Sequence, residues 1–179
     1  AGAKSSPTQI GTGITWALGR GKLAAWTNAA AAISSSGQLY TWNRNYSGSL
    51  GQNQSPSAND RDNGPTLVGT DTTWDTVGGV TDQGWRMAQA LKTDGTMWAW
   101  GAGGDGQLGQ NDRTDRSSPV QIGSDTTWSN QFACEGTKNN KLAIKTDGTL
   151  WAWGGQDEGQ LGLNQAATHY SSPTQVGTE

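Results

Sequence analysis

KTDGTMWAWGAGGDGQLG, residues Lys92–Gly109, is spelled a second time, almost letter for letter, as KTDGTLWAWGGQDEGQLG at Lys145–Gly162. An Asp-Gly pair between two β-prone runs is the signal of a two-residue hairpin, because both central positions of a type I′ turn require φ above zero. Two hairpins are predicted on that basis. Ala90–Thr93 turns at Asp94-Gly95 into Thr96–Gly101, and Leu142–Thr146 turns at Asp147-Gly148 into Thr149–Gly154. AAISSSGQLYTWN, Ala31–Asn43, is a weaker copy in which Ser36-Gly37 stands for Asp-Gly and Tyr40 for a tryptophan. In the return strand Leu150 and Ala152 point to one face, Trp151 and Trp153 to the other, so both faces are apolar. A strand of that kind needs a layer on each side, as in small sheets stacked around an axis.

The repetition extends beyond the hairpin. SSPTQIG (Ser5–Gly11) returns as GPTLVG (Gly64–Gly69), SSPVQIG (Ser117–Gly123) and SSPTQVG (Ser171–Gly177), with Pro7, Pro65, Pro119 and Pro173 spaced 58, 54 and 54 residues apart. Trp16, Trp74 and Trp128 each follow their proline by nine residues; Trp42, Trp100 and Trp153 come next, then Leu50-Gly51, Leu108-Gly109 and Leu161-Gly162. Each copy is a supersecondary unit that cannot cover its own two faces, and repetition supplies the neighbours. The Pro-containing segments read as edge strands with the proline at or near the strand start, since proline removes a donor that an interior strand needs. The expected fold is all-β: a propeller-like array of about three four-stranded antiparallel blades, either an incomplete propeller or one completed by other chains.

Composition agrees. Only 32% of the 179 residues are hydrophobic, yet there are ten tryptophans and 27 glycines, so burial rests on large rings between tight turns. The chain reads as a single repeat domain, residues 1–179, with blade units at about 12–69, 70–123 and 124–177. Net charge is −3 with no run of Lys or Arg, which argues against a nucleic-acid partner. Cys134 stands alone, so no internal disulfide or thiolate metal site is available. No stretch of eighteen apolar residues occurs, and no membrane-spanning helix is expected. The opening AGAKSSPTQ lacks an initiator Met and a signal-peptide pattern, as in a processed or excised chain.

Catalytic and metal motifs are sparse. GAGGDG (Gly101–Gly106) lacks the strand-then-helix setting and the Lys-Ser/Thr of a phosphate loop. His169 is the single histidine, and Ser171 and Ser172 beside it belong to a repeated phrase whose other copies carry no base, so no enzyme activity is expected. Asn59–Asn63 and Asn111–Asp115 offer oxygen ligands for calcium, but each holds an arginine and reads better as a solvated turn with local ion pairs. No cofactor is expected. Trp26 and Trp85 occupy matching places outside the two-tryptophan strands; exposed, they could stack on sugars, and buried, they are core.

The order Asp-Gly hairpin, Leu-Trp-Ala-Trp-Gly, Gly-Gln-Leu-Gly, then Ser-Pro and an aliphatic-Gly strand end resembles the repeat of the regulator of chromosome condensation family. That resemblance implies a four-stranded propeller blade, usually one of seven. Gly84-Trp85-Arg86 is similar to a phrase in the family's repeats, where histidine commonly follows; here the next residue is Met87. Trp26, Trp85 and Arg86 are therefore the candidate ligand or partner contacts. The wording KTDGTLWAWG is similar to repeats of bacterial surface and phage virion proteins, which implies an exposed, extracellular or virion-surface module. The expected function is non-enzymatic: a structural or assembly component of a virion or extracellular appendage, with a glycan- or protein-recognition module as the alternative.

Counting blades leaves four edge strands for three bodies. Residues 1–11 are the surplus, and Pro7, Thr8, Gln9 and Ile10 could complete a blade in a neighbouring chain by strand addition, at the place that Pro173, Thr174, Gln175 and Val176 fill in this one. Such a head-to-tail contact closes a ring or propagates a filament. The partners expected are other copies of the chain or further blades of a longer parent.

Overall fold

The computed structural model describes residues 5–26, 28–55, 57–79, 86–133, 139–164 and 169–177. Three four-stranded antiparallel sheets account for the strands. The first runs β1 (Leu23–Trp26), β2 (Ala29–Ile33), β3 (Leu39–Asn45), β4 (Ser57–Leu67); the second β5 (Trp74–Gly79), β6 (Met87–Lys92), β7 (Met97–Gly101), β8 (Arg116–Gln121); the third β9 (Trp128–Ala133), β10 (Asn140–Lys145), β11 (Leu150–Gly155), β12 (His169–Gln175). In each sheet strands adjacent in sequence are adjacent in space. This is the expected blade array, left open rather than closed into a ring. Trp85 and Cys134 lie outside the described residues, as do the side chains of Asn59–Asn63.

The three hairpins form, with Ile33 opposite Leu39, Leu91 opposite Met97, and Ile144 opposite Leu150. Their turns differ from the type I′ expectation. Gly95 N–H donates to Lys92 O and Lys92 N–H to Thr96 O, and the same pair of bonds recurs at Ser34–Gln38 and Lys145–Thr149. Only the glycine, Gly37, Gly95 or Gly148, has positive φ, and Asp94 and Asp147 do not. The loop is a three-residue one ending in a glycine bulge. In two of the three loops an aspartate reinforces it: its Oδ1 accepts the N–H and the Oγ1 hydroxyl of the threonine two residues on, at 2.9 and 2.7 Å in both Asp94–Thr96 and Asp147–Thr149.

The segments of Pro65, Pro119 and Pro173 are edge strands, but the prolines do not start them, and the segment of Pro7 lies in no strand. Pro119 is the fourth residue of β8 and Pro173 the fifth of β12. Each, like Pro65 in β4, falls where the ladder shifts register, between the pairs at Ala99 and Gly101, Ala152 and Gly154, or Thr41 and Asn43. A missing donor is tolerated there because the ladder is already broken.

Directly paired residues share a face, so each sheet has two distinct sides. On the second sheet Val77, Ala88, Ala90, Trp98 and Trp100 pack toward the first sheet, against Trp26, Ala29, Ala31, Ile33, Leu39, Leu50 and Val68. Its other side, with Met87, Leu91, Met97 and Ala99, packs against Trp128, Ala143, Trp151 and Trp153 of the third. Trp100 and Trp153 are fully buried. At about 25 cal/mol per Å², rings of this size contribute up to about 4 to 6 kcal/mol each.

Polar contacts repeat at the two joints. The Trp100 indole N–H donates to Ser49 O and that of Trp153 to Gln107 O, both at 3.0 Å. These rings lie against Gly51 and Gly109, at φ +67° and +68°, where a Cβ would stand 2.8 and 3.2 Å from the indole nitrogen. The hairpin tip of each preceding sheet accepts from the next: Trp74 N–H to Gly37 O at 3.1 Å, Trp128 N–H to Gly95 O at 3.2 Å. Asn53 N–H reaches Ser117 O of β8 and Asn111 N–H reaches Ser171 O of β12, at 2.8 and 2.7 Å. The repeated loop is thus a socket for the following sheet.

Candidate functional site

The repeated phrase carries electrostatics as well as shape. Thr96 Oγ1, donating to Asp94, accepts the Trp98 indole N–H at 2.9 Å, and Thr149 does the same between Asp147 and Trp151. Hydrogen bonds from the threonine hydroxyl and N–H hold both aspartates below the usual carboxylate range, against a smaller opposing effect of burial. The lysine that opens the phrase lies between two rings. Lys92 Nζ is 3.7 Å from the Trp98 ring centre and 4.7 Å from that of Trp74; Lys145 Nζ is 3.8 Å from Trp151 and 4.9 Å from Trp128. Each ammonium pairs with the aspartate three residues before the strand-opening tryptophan, Asp71 for Lys92 at 2.5 Å and Asp125 for Lys145. Burial pushes the Asp71 carboxyl up, but hydrogen bonds from Lys92 and Thr73 and the lysine's charge outweigh it and bring the pKa down to about 2. In the first unit the same positions hold Ser34 and Gly13, and no charge is present there.

These cation–aromatic clusters were not anticipated. Their sequence cue is Asp-Thr-Thr-Trp followed by Lys-Thr-Asp-Gly-Thr-x-Trp, which places one lysine within reach of two rings and a carboxylate.

Of the candidate contacts, Trp26 lies in the core at 5% exposure, its ring against the bare Cα of Gly79 in β5. Arg86 is half-buried at the joint of sheets one and two, its guanidinium stacked on Tyr46 at 3.5 Å from the ring centre, while Arg44 approaches the same ring and donates to its hydroxyl at 2.7 Å. Pro7–Ile10 are exposed and belong to no strand. Pro173–Gln175 lie in β12, and Val176 donates its N–H to Leu150 O at 2.8 Å.

His169 joins a polar cluster between sheets two and three. Its Nδ1 is 3.6 Å from Asp105 Oδ1; Asp105 also accepts from Asn139 and, at 3.4 Å, from Arg113. Ser172 Oγ pairs with Asn111 Oδ1 at 3.3 Å, so no serine is aligned with the imidazole by the contacts described. In the Asn111–Asp115 loop, Asp112 accepts from Thr114 N–H and from Arg116, and Asp115 Oδ1 accepts Gly103 N–H. Among the described residues no three acidic, His or Cys side chains converge on a point, and no helix is long and apolar enough to cross a membrane.

Where the first strands of the three sheets lie side by side, they line a concavity of about 420 Å³. Gly21, Leu23, Ala24 and Ala25 of the first unit, Thr76 to Gly79 of β5, and Asn130 and Phe132 of β9 form its wall. Small side chains let a partner approach the backbone closely. The Lys22–Asp75 ion pair, at 2.7 Å, ties β5 to the start of β1 at its edge; that hydrogen bond, opposed by burial, lowers the Asp75 pKa.

The regulator of chromosome condensation (RCC1) repeat matches residues 94–134 and 147–179. The chain is 28% identical over 145 residues to the RCC1 domain-containing protein RUG3, mitochondrial, of Arabidopsis thaliana, covering 81% of this chain and 31% of that protein. To the ultraviolet-B receptor UVR8 of the same plant it is 36% identical over 84 residues, 46% of this chain and 19% of the receptor. Prp20p of Saccharomyces cerevisiae, solved as a crystal structure, superposes with a TM-score of 0.70 at 15% identity, over 87% of this chain and 38% of that one. The chain thus spans between about a fifth and two fifths of the length of these proteins. Three stacked meanders are joined by the sockets Gly48-Ser49-Leu50-Gly51 and Gly106-Gln107-Leu108-Gly109, which receive the next tryptophan, and over residues 94–134 and 147–179 the chain matches the regulator of chromosome condensation repeat.

Proposed function

We propose that the chain is a non-enzymatic protein-recognition module, a propeller segment that offers a rigid inner concavity to a protein partner. The observation that carries this reading is the division of labour in the fold. The tryptophans and most aliphatic residues pack at the joints between sheets, whereas the wall of the concavity is mostly Gly, Ala, Thr and Asn, with the exposed Leu23 and the ring of Phe132 as its large apolar side chains. Such a wall suits shape-matched contact with a peptide segment or loop. Prp20p, a propeller of the same fold, binds Gsp1p and histones, which are protein partners, and this supports recognition over a purely structural role. An exposed setting, on a virion or outside the cell, rests on the wording of the repeats alone.

The test is affinity capture from the native source with the wild type and with Asn130→Arg, which crowds the concavity from an exposed position. The expected result is loss of a specifically captured protein while circular dichroism is unchanged. Identical capture by both proteins would refute the assignment.

A further inference from the structure

The two joints between sheets fill the same repeat positions with opposite charge. Counted from the second tryptophan position of each return strand (Trp42, Trp100, Trp153), the residue fourteen places before is Arg86 in the second unit and Asn139 in the third, and the residue five places after is Ser47 in the first unit and Asp105 in the second. At the joint of sheets two and three these are an amide and a carboxylate. Asn139 donates to Asp105, which also has Arg113 at 3.4 Å and His169 at 3.6 Å. At the joint of sheets one and two a hydroxyl stands for the carboxylate and a guanidinium for the amide, so the joint holds cations without an anion of its own. Arg86 Cζ lies 3.5 Å from the centre of the Tyr46 ring, and Arg44 Cζ lies 5.7 Å from the same centre. Lys22, Lys92, Arg113, Arg116 and Lys145 each pair with an aspartate, whereas among the described residues no carboxylate pairs with Arg44 or Arg86.

Most donors of this cluster are uncommitted. A guanidinium stacked face-on keeps its fork of N–H groups in its own plane, outside the ring contact. Arg86 Nε is buried and meets no acceptor among the described residues. Arg44 directs one N–H to the Tyr46 hydroxyl at 2.7 Å, which leaves that hydroxyl its own hydrogen to donate. Arg44, Tyr46 and Arg86 are all partly exposed.

We propose that Arg44, Tyr46 and Arg86 form a binding site for a phosphoryl group, borne by a phosphate monoester or by free phosphate. A phosphoryl group carries about −1.5 to −2 charge near neutral pH and three acceptor oxygens, which matches two guanidiniums and one hydroxyl; a carboxylate would leave one cation uncompensated. The planar fork of arginine suits such a group better than the point charge of lysine. A nucleic-acid backbone offers one charge per phosphate and is held by a track of cations, and this chain has no run of Lys or Arg. None of the three residues lines the concavity, so the site stands whether or not the concavity receives a protein.

Calorimetric titration in phosphate-free buffer tests the site, with inorganic phosphate, acetate, a phosphoserine peptide and its unphosphorylated form as probes. Saturable binding of inorganic phosphate is expected, with acetate at least about tenfold weaker. Arg44→Gln and Arg86→Gln should each weaken phosphate binding by at least about tenfold, and Tyr46→Phe by a smaller factor, with the circular dichroism spectrum retained. Should Arg86→Gln loosen the joint, Arg44→Gln decides the matter. A phosphoserine peptide that binds more tightly than inorganic phosphate supports the site with a modified protein as its source, and equal affinity supports it with free phosphate. Absence of saturable phosphate binding, equal affinity for acetate or for the unphosphorylated peptide, or phosphate binding unchanged in folded Arg44→Gln would overturn the proposal.

Discussion

Replacing Lys92 by methionine removes the ammonium that sits between Trp74 and Trp98 and beside Asp71, while keeping most of the apolar stem. The Asp71 carboxyl is brought from 3.8 down to about 2, which corresponds to at most about 2 kcal/mol of stability. Its side chain is 34% exposed, so solvent screening reduces this to about 1 kcal/mol. The ring contacts add about 0.5 to 1 kcal/mol. Lys92→Met should therefore cost about 1.5 to 2 kcal/mol near neutral pH. A carboxyl with a lowered folded pKa contributes fully above its unfolded value and loses that contribution as pH falls through the folded one. The wild type should thus give up its Asp71 share between about pH 4 and pH 2, whereas Lys92→Met retains only the part that the Thr73 hydrogen bonds supply. Urea unfolding followed by circular dichroism at several pH values reads the difference; the other lowered aspartates cancel except Asp94, which also feels the Lys92 charge and adds to the difference in the same direction. A variant as stable as wild type at neutral pH, or a gap that does not narrow in acid, would refute the reasoning.

Two further substitutions probe shape. Gly51→Ala and Gly69→Ala both place alanine at positive φ, +67° and +62°, but only the first aims a Cβ at the Trp100 ring; left-handed strain costs about 1 to 2 kcal/mol at each, and overpacking adds about 1 to 3 at Gly51 alone. Equal urea midpoints for the two variants would contradict the socket description. At the second hairpin tip, Asp94→Ala removes the acceptor of the Thr96 N–H and hydroxyl and should cost about 1 kcal/mol, whereas Asp94→Asn keeps an oxygen there and should cost less. If the two destabilise alike, the loop owes nothing to that oxygen.

Much of this architecture is legible in the sequence because it depends on short-range periodicity. The alternation Leu150, Trp151, Ala152, Trp153 fixes two faces, and the spacing of Pro65, Pro119 and Pro173 fixes the unit. The turn type is not legible from Asp-Gly alone, since the same glycine-bulge loop forms at Ser36-Gly37, where no aspartate stands. The Lys92 and Lys145 clusters escape a linear reading because their rings and carboxylates come from separate segments. Trp26 has no apolar periodicity to place it, but Gly78-Gly79 inside a strand marks where a large ring approaches the backbone. The concavity arises only where three separate strands come side by side, and no single repeat announces it.

Because each unit carries a socket on one side and the ring that fills it on the other, the order of units is interchangeable in a way that a shared globular core is not. Duplication or loss of one segment leaves every surviving seam with both of its halves. Such a chain can lengthen or shorten over evolutionary time without redesign of its interior, and the near-verbatim second spelling at Lys145 is what a recent event of that kind would leave behind.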